Sequence, residues 1–222
     1  MEILDQNGYR VVQLNDGTKL TDAIDLINRR RADGINLNFI CNFPKDVDLL
    51  SSAEGIKSIT INDYSWDFDY SIIHSLTTLE CLSVYTTDKN EIDYSKFPNL
   101  KSTALFWRPR AESLFNCKSL EQLFLGKFSD MNLSRISGLR NLKHLRLNTG
   151  TVQNLHGIEN LVNLEELLLM QVTKLQSIQG VESLPNLRSL HIDNCKSIVD
   201  IYKVTQLQGK PDVQIYGTTP TP

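Results

Sequence analysis

Residues 142–169 read LKHLRLNTGTVQNLHGIENLVNLEELLL, and this stretch decides the fold. It holds the pattern leucine-x-x-leucine-x-leucine twice, first from Leu142 to Leu147 and again, 22 residues later, from Leu164 to Leu169. Leucines two residues apart suit a short strand with one buried face, because alternate side chains of a strand point to opposite sides. Between the two copies, apolar residues stand three apart, which is typical of a tight 3₁₀ or extended return. Each unit is therefore predicted to be a strand followed by a return.

The same pattern recurs on both sides of this stretch. We identify nine copies, whose middle residues are Leu37, Ile59, Leu82, Thr103, Leu123, Leu145, Leu167, Leu190 and Val213. The steps between them are 20 to 23 residues, a regularity that marks a repeat architecture. Since one unit alone cannot bury both of its apolar rows, neighbouring units must stack and share a core. The sequence therefore predicts a solenoid with a parallel sheet of about nine strands.

These units resemble leucine-rich repeats, specifically the 22-residue class of internalin-like and phosphatase-regulator-like proteins. The resemblance covers about residues 34 to 217. It implies an α/β solenoid, a right-handed superhelix with a parallel concave sheet and a convex side of mostly 3₁₀ and irregular segments.

One feature departs from the family pattern, which usually has asparagine three residues after the last strand leucine. Here only one of those positions holds asparagine: they are Asn42, Tyr64, Thr87, Arg108, Phe128, Gly150, Val172 and Cys195. The buried amides of these turns therefore need other partners, either backbone or water.

The pattern divides the chain into three regions: an amino-terminal cap of hairpin and helix at 1–33, the repeats at 34–217 and a loose tail at 218–222. Asn7 and Gly8 between two apolar runs favour a hairpin turn. The segment from Leu20 to Arg31 carries a helical apolar stripe, and Gly34 is expected to end that helix.

Composition excludes several classes of protein. With 222 residues, 41% of them hydrophobic and 22% charged, the chain can bury one sizeable core. The formal net charge of -3 leaves no positive excess to neutralise a phosphate backbone, so nucleic acid is not expected as a partner. The amino terminus lacks the basic and apolar parts of a secretory signal, and no stretch reaches the ~20 apolar residues that span a bilayer. We therefore expect a cytoplasmic protein without membrane contact.

Catalytic and metal-binding patterns are missing from the sequence. The four cysteines form no CxxC pair, and Cys41 and Cys81 stand two strands apart, about 9 to 10 Å, so no disulfide is expected. No HExxH, GxSxG, dinucleotide or phosphate-loop pattern occurs. We expect no cofactor, no metal and no catalytic residue. A hydrolase that uses His144 and Glu166 is the alternative from another class, but a surface hydrogen-bonded pair is favoured because no water-excluding pocket is implied.

The residues that flank the strand leucines are expected to point to the concave face, and most are polar. In the middle copies, however, large apolar side chains form a group bordered by charges, which is typical of an interaction surface. The predicted partner-binding residues are Tyr85, Phe106, Trp107, Phe124, Lys127, His144, Arg146, Glu166, Leu168, Met170, His191 and Asp193. The alternative is that the chain's own tail, or a loop such as Arg108-Pro109-Arg110, covers part of this group.

We therefore predict a non-enzymatic module that binds another protein on its concave face. The resemblance leaves two finer alternatives: a bacterial immunity protein that neutralises a cognate toxin, and an adaptor or regulatory subunit of an enzyme such as a phosphatase. The acidic balance would suit a basic toxin. The sequence does not identify the partner or fix the oligomeric state, and we expect a monomer when the protein is free.

Overall fold

The computed structural model describes residues 1–14, 17–38, 46–62, 68–86, 88–207, 209 and 211–218. The chain divides into two compact units, 1–117 and 118–222. Each unit is a stack of the predicted strand-and-return repeats, and each is described by itself.

The first unit opens with a hairpin and continues as a parallel sheet. Its strands are β1 (Glu2–Gln6), β2 (Tyr9–Gln13), β3 (Gly34–Asn38), β4 (Ser58–Asn62), β5 (Cys81–Val84) and β6 (Ser102–Phe106). β1 pairs with β2 antiparallel, and each later strand pairs parallel with the one before it. Asn7 and Gly8 join β1 to β2 with φ of 54° and 80°, the left-handed pair that a two-residue hairpin turn favours. The predicted hairpin is therefore confirmed.

Helical segments connect these strands. They are the α-helix α1 (Leu20–Asn28) and the 3₁₀ helices η1 (Val47–Ser52), η2 (Tyr70–Ile73), η3 (Tyr94–Lys96) and η4 (Pro109–Asn116). α1 buries the predicted stripe of Leu20, Ile24 and Ile27, and it also buries Ala23. It ends before the predicted Arg31, because the chain turns left-handed at Arg30, where φ is 58°.

Gly34 does not end the helix as predicted, because it is the first residue of β3. A Cβ at this position would overlap the backbone carbonyl of Ser58 on the next strand. The glycine therefore permits the close approach of β3 and β4, which is a second common reason for glycine in a strand.

The second unit contains five parallel strands in chain order. They are β7 (Gln122–Phe128), β8 (His144–Gly150), β9 (Glu166–Met170), β10 (Ser189–Asp193) and β11 (Asp212–Tyr216). Three 3₁₀ helices lie between them: η5 (Ile158–Asn160), η6 (Val181–Ser183) and η7 (Ile201–Gln206). None of the helices in the described ranges is long and apolar enough to cross a membrane.

The strand pairing confirms the predicted registers, with one correction. In the second unit Leu123, Leu145, Leu167, Leu190 and Val213 stand side by side, as predicted. In the first unit, however, Ile35 and not Leu37 lies beside Ile59. The first copy was therefore placed two residues too far along the chain. A shift of two keeps every side chain on its face, and Phe39 and Ile40 lie outside the described residues.

The core consists of the two apolar rows that the repeat predicts. Strand residues such as Leu145 and Leu167 are each 1% exposed. The return row Leu133, Ile136, Leu139 and Leu142 is fully buried, and so is the next row, Leu155, Ile158, Leu161 and Leu164. The strand residues spaced two apart and the return residues spaced three apart therefore form the two sides of one core.

Backbone groups replace the missing turn asparagines in the second unit. The residue before each turn position has a left-handed backbone, with φ between 53° and 60°: these residues are Lys127, Thr149, Gln171 and Asn194. The turns then bond to one another, since the amide of Thr151 donates to Phe128 O at 2.9 Å and the amide of Asn194 donates to Tyr216 O at 2.9 Å. At the last turn position, the amide of Cys195 donates instead to Thr218 Oγ1 at 3.1 Å, so the turns use both backbone and side-chain acceptors.

A different asparagine row lies at the start of the strands. Each member immediately precedes the first leucine of a copy, and its side-chain amide donates to a carbonyl of the preceding repeat at 2.8 or 2.9 Å. The members are Asn99 in the first unit and Asn141, Asn163 and Asn186 in the second. Asparagine therefore links successive repeats, although not at the position that the family pattern predicts.

Candidate partner-binding face

The open face of each unit is the side of its sheet that carries the residues flanking the strand leucines. In the second unit the strand register arranges these residues in rows that cross the sheet. The central row is Phe124, Arg146, Leu168, His191 and Gln214. The row at the carboxyl ends is Gly126, Asn148, Met170, Asp193 and Tyr216, and the row at the amino ends is Gln122, His144, Glu166, Ser189 and Asp212.

Arg146 contacts apolar side chains on both neighbouring strands of this face. Its guanidinium carbon lies 5.0 Å from the ring centroid of Phe124, a cation–π distance. Its Nη2 lies 3.0 Å from Met170 Sδ, which is a weak acceptor. Phe124, Leu168 and Met170 are half-exposed, and Arg146 is exposed. The Arg146 side chain is therefore positioned by a ring and a sulfur atom. Neither is a strong hydrogen-bond acceptor, so the guanidinium can still donate to an acceptor of a partner.

His144 and Glu166 lie beside each other, as the sequence predicts, with Nδ1 and Oε2 2.9 Å apart. Their side chains are 38% and 60% exposed. The pair is therefore open to water on the surface, whereas a catalytic acid or base usually lies where water is excluded.

His191 and Asp193 occupy the far strand of the predicted group. His191 Nδ1 lies 3.3 Å from Gln214 Oε1, and its ring lies 5.4 Å from that of Tyr216. Asp193 Oδ1 accepts a hydrogen bond from Asn194 Nδ2 at 2.8 Å. Tyr216 is 56% exposed and extends the face, although the prediction did not include it.

Lys127 takes no part in these rows. It follows Gly126, has φ of 58° and is the exposed second-last residue of β7. The structure therefore places it at the margin of the open face.

The predicted aromatic residues of the first unit make contacts within their own unit. The rings of Tyr85 and Phe106 meet edge-on with centroids 6.0 Å apart. Trp107 lies 5.1 Å from Phe115 of η4, which is only 8% exposed. All three predicted residues remain half-exposed, so η4 covers part of Trp107 and leaves part of it accessible.

Two polar residues expected on the solvated face of the first unit are buried. Ser58 is 2% exposed and Cys81 is 3% exposed, and burial raises the pKa of the Cys81 thiol. The hairpin lies close to these residues, because Tyr9 of β2 donates from its Oη to Glu80 Oε2 at 3.3 Å. Burial of the Tyr9 side chain and the nearby Glu80 carboxylate raise the pKa of Tyr9 to about 12. The open face of the first unit is therefore narrower than predicted.

The thiols of Cys195 and Cys117 lie close to backbone carbonyl oxygens. Cys195 is fully buried, and its Sγ lies 3.5 Å from Asp193 O and 3.7 Å from Leu169 O. Cys117 is partly exposed, with its Sγ 3.7 Å from Tyr94 O. Cys41 lies outside the described residues. Within the part of the chain that the structure describes, no group of three or more His, Cys, Asp or Glu residues could hold a metal ion.

A buried ion pair was not predicted. Arg108 and Asp88 lie 2.7 Å apart with side chains only 4% exposed. The guanidinium also donates to Thr86 Oγ1 at 2.8 Å and to Thr86 O at 3.3 Å, and Tyr70 Oη donates to Asp88 at 2.8 Å. The Arg108-Pro109-Arg110 segment therefore begins inside the fold rather than as a covering loop. Arginine at a turn-asparagine position was the signal for this contact.

A row of alternating charges, which we name the charge row, was also missed. It occupies the position just before the strands β3 to β10, and Arg10 of β2 continues it in the same register. Its members are Arg10, Asp33, Lys57, Glu80 and Lys101 in the first unit, and Glu121, Lys143, Glu165 and Arg188 in the second. Glu80 bridges Lys57 at 3.1 Å and Lys101 at 2.7 Å. The alternation of sign along the repeats was the available signal.

Comparisons with known proteins establish the class of fold. No protein-family model matches the sequence, and no curated protein matches it. Among solved structures, an internalin (inlF) from Listeria monocytogenes matches with a TM-score of 0.66 and 20% identity over 93% of this chain and 59% of that one. This chain thus spans less than two thirds of that internalin.

Two further structures agree. The leucine-rich repeat domain of the type III effector XopL matches with a TM-score of 0.58 and 15% identity, over 86% of this chain and 80% of that one. Internalin C2 from Listeria monocytogenes matches with a TM-score of 0.56 and 19% identity, over 77% and 74%. The fold is therefore that of a leucine-rich repeat protein of the internalin-like class. Folds of this class generally serve as protein-interaction modules.

Proposed function

We propose that this protein is a non-enzymatic module that binds a partner protein on its open face. The observation that carries the proposal is the group formed by Phe124, Arg146, Leu168 and Met170 in the second unit. Soluble proteins rarely leave large apolar side chains grouped on their surface unless the group binds something. Aromatic residues and arginine also provide much of the energy at protein interfaces.

The contacts of Arg146 indicate what the partner offers to it. The guanidinium is already ordered by Phe124 and Met170, so little side-chain entropy is lost on binding. Its neighbours in the row are apolar. A partner carboxylate beside a large apolar side chain would match this centre, because arginine binds carboxylates through two parallel hydrogen bonds.

The charged border sets the orientation of the partner. His144, Glu166, His191 and Asp193 lie around the apolar centre, and Lys127 lies at its margin. Charges at the rim of an interface act mainly on association rate and specificity. We assign this role to the five residues.

The first unit supplies a separate contact area in this proposal. Tyr85, Phe106 and Trp107 offer their half-exposed edges to the partner. Because Trp107 also packs on Phe115, its truncation is expected to reduce both binding and stability. Variants of the second unit are therefore the cleaner test.

The proposed setting is the cytoplasm. Cys81 and Cys195 are buried thiols, which suits a reducing compartment.

Comparison of captured partners tests the proposal. Immobilised wild-type protein and the variants Arg146→Glu and Leu168→Ala are exposed to lysate of the source cells, and bound proteins are identified by mass spectrometry. Affinity of the purified partner is then measured by calorimetry. Each variant is expected to weaken binding by about 2 kcal/mol or more, roughly thirtyfold, while the free energy of unfolding changes little.

The matched control is Val162→Ala. Val162 is 45% exposed but lies in a return segment, away from the open face. Binding equally strong in Arg146→Glu and Val162→Ala would refute the proposal. A toxin or an enzyme as the captured partner would decide between the two finer alternatives.

A further inference from the structure

Among the described residues of the second unit, β11 is an edge strand. β11 pairs with β10 on one side, and no described residue pairs with its other side. An unpaired strand edge presents backbone donors and acceptors that can bind another strand.

The hydrogen bonds to β10 identify the backbone groups at this edge. The amide of Asp212 donates to Arg188 O at 2.8 Å, and Tyr216 O accepts from the Asn194 amide at 2.9 Å. Because backbone groups alternate in direction along a strand, Asp212, Gln214 and Tyr216 direct theirs toward β10. Those of Val213 and Ile215 therefore point outward.

The edge is also the apolar end of the core. Leu190 and Ile192 in β10 are fully buried, whereas their β11 neighbours Val213 and Ile215 are half-exposed. The adjacent segment continues this surface with half-exposed Ile201, Val204 and Leu207 and with Val199 and Tyr202, which are 67% and 60% exposed. This group of seven residues is here named the end surface.

Asp200 and Lys203, in the segment of the end surface, form an ion pair with each other. Asp200 is 8% exposed, and its Oδ2 lies 3.5 Å from Lys203 Nζ. Among the described residues of β11, Asp212 is the only charged one. Two copies could therefore bring their end surfaces together without opposing like charges.

We propose that β11 pairs with β11 of a second copy of this chain, antiparallel and about a two-fold axis at Gln214. In this register Val213 lies opposite Ile215 of the other copy, and these residues exchange all of their outward backbone hydrogen bonds. Asp212 lies opposite the other Tyr216, whose hydroxyl is a suitable donor to a carboxylate. The two Gln214 side chains meet at the axis.

The neighbouring registers are poorer. Moving the axis to Val213 places Pro211 opposite Ile215, and proline has no amide to donate. Moving it to Ile215 places Gly217 opposite Val213 and loses a cross-strand side-chain contact. Of these three registers, only the axis at Gln214 places a β-branched residue with a free amide hydrogen opposite both Val213 and Ile215.

Such a dimer would join the two sheets through β11. The open faces of the two second units would lie on the same side of one continuous sheet, since opposite residues of an antiparallel pair project to the same side. This inference does not depend on the proposed partner.

Sedimentation velocity over a wide range of protein concentrations tests the dimer. Wild-type protein is expected to show a reversible monomer–dimer equilibrium. Gln214→Lys places two positive charges opposite each other at the axis, so the dimer dissociation constant should rise about tenfold or more. An equimolar mixture of Gln214→Lys and Gln214→Glu should restore the dimer as a heterodimer.

The control Gln179→Lys makes the same change at an exposed residue between β9 and η6 and should dimerise like wild type. Equal thermal stability of the two lysine variants shows that β11 stays folded. A wild-type monomer at every concentration overturns the proposal. A dimer that Gln214→Lys leaves unchanged overturns it as well.

Hydrogen exchange provides a residue-specific readout. The amides of Val213 and Ile215 should become protected as the protein concentration rises, since only these β11 amides point outward. The amide of Gln214, which points toward β10, should change much less. Protection that is independent of concentration would exclude pairing at this edge.

Discussion

Arg108 shows how a single side chain replaces a structural asparagine. Its guanidinium reaches the carbonyl of Thr86 in the preceding turn and also pairs with Asp88. Arginine suits this position because its planar group donates several hydrogen bonds in fixed directions. The arrangement requires the Asp88 carboxylate, since an unpaired buried charge is strongly unfavourable.

Replacement of Arg108 by methionine should therefore destabilise the protein strongly. Removing one partner leaves the Asp88 carboxylate buried without its counter-charge, a loss of about 3 to 5 kcal/mol in comparable pairs. Urea denaturation measures the change in the free energy of unfolding. The double variant Arg108→Met, Asp88→Asn should recover part of this loss. A single variant as stable as wild type would show that the pair contributes little.

Sequence reasoning at the scale of single residues succeeded where periodicity fixed the direction of a side chain. It placed His144 beside Glu166, because the register follows from the leucines. It did not foresee the contact of Trp107 with Phe115, since the path of the segment after a strand is not periodic. The repeat spacing places Arg108 at a turn position, but it does not identify Asp88 as its partner.

The charge row is the element that most clearly links successive repeats at the surface. Each pair is partly exposed, so any one contributes little. The alternation nevertheless favours the correct register, because a displaced strand would lose its opposite charge or meet a like one.

Stability should therefore fall in acid. The hydrogen bond from Lys101 lowers the pKa of Glu80 from its ordinary value of 4.5, and that from Arg10 lowers the pKa of Asp33 from 3.8. A carboxylate with a lower pKa in the folded state stabilises the fold above its unfolded pKa. This contribution is lost as the pH falls through the folded pKa.

Urea denaturation between about pH 7 and pH 3 checks this expectation. The free energy of unfolding should decrease below about pH 4.5, and Glu80→Gln should show a smaller decrease than wild type. Glu159→Gln, outside the charge row, serves as the control. Identical pH dependence of Glu80→Gln and wild type would contradict the role given to Glu80.

At the scale of the whole molecule, the contribution of a core residue to the free energy of unfolding depends on the position of its repeat in the stack. An inner residue such as Leu145 has neighbours on both sides and is 1% exposed, whereas Val213 has a neighbouring strand on one side and is half-exposed. In a stack of repeats, each unit contributes through its contacts with its neighbours. Replacing a core side chain by alanine should therefore lower the free energy of unfolding less in the last repeat than in an inner one.

Leu145→Ala should cost about 2 to 5 kcal/mol of unfolding free energy because it leaves a cavity in a closed core. Val213→Ala should cost clearly less, at a protein concentration where the chain is monomeric. Chemical denaturation of both variants gives the comparison. Equal losses would mean that β11 is as enclosed as β8.

The fold as a whole was predictable because eight regular steps between apolar residues leave few alternative architectures. The sequence located the strands, the 3₁₀ returns and the hairpin. It missed the two-residue displacement of β3, because Leu37 and Phe39 imitate the pattern of Ile35 and Leu37. The candidate site was predictable only as a set of side chains on one face, since their mutual contacts depend on rotamers.

The left-handed residues at the ends of β7 to β10 have a consequence for how such proteins diverge. Where main-chain bonds close a turn, the turn position does not require asparagine, and in this chain phenylalanine, glycine, valine and cysteine occupy it. A consensus motif can then erode while the backbone path persists. Superposition of structures then detects the shared fold where no protein-family model matches the sequence.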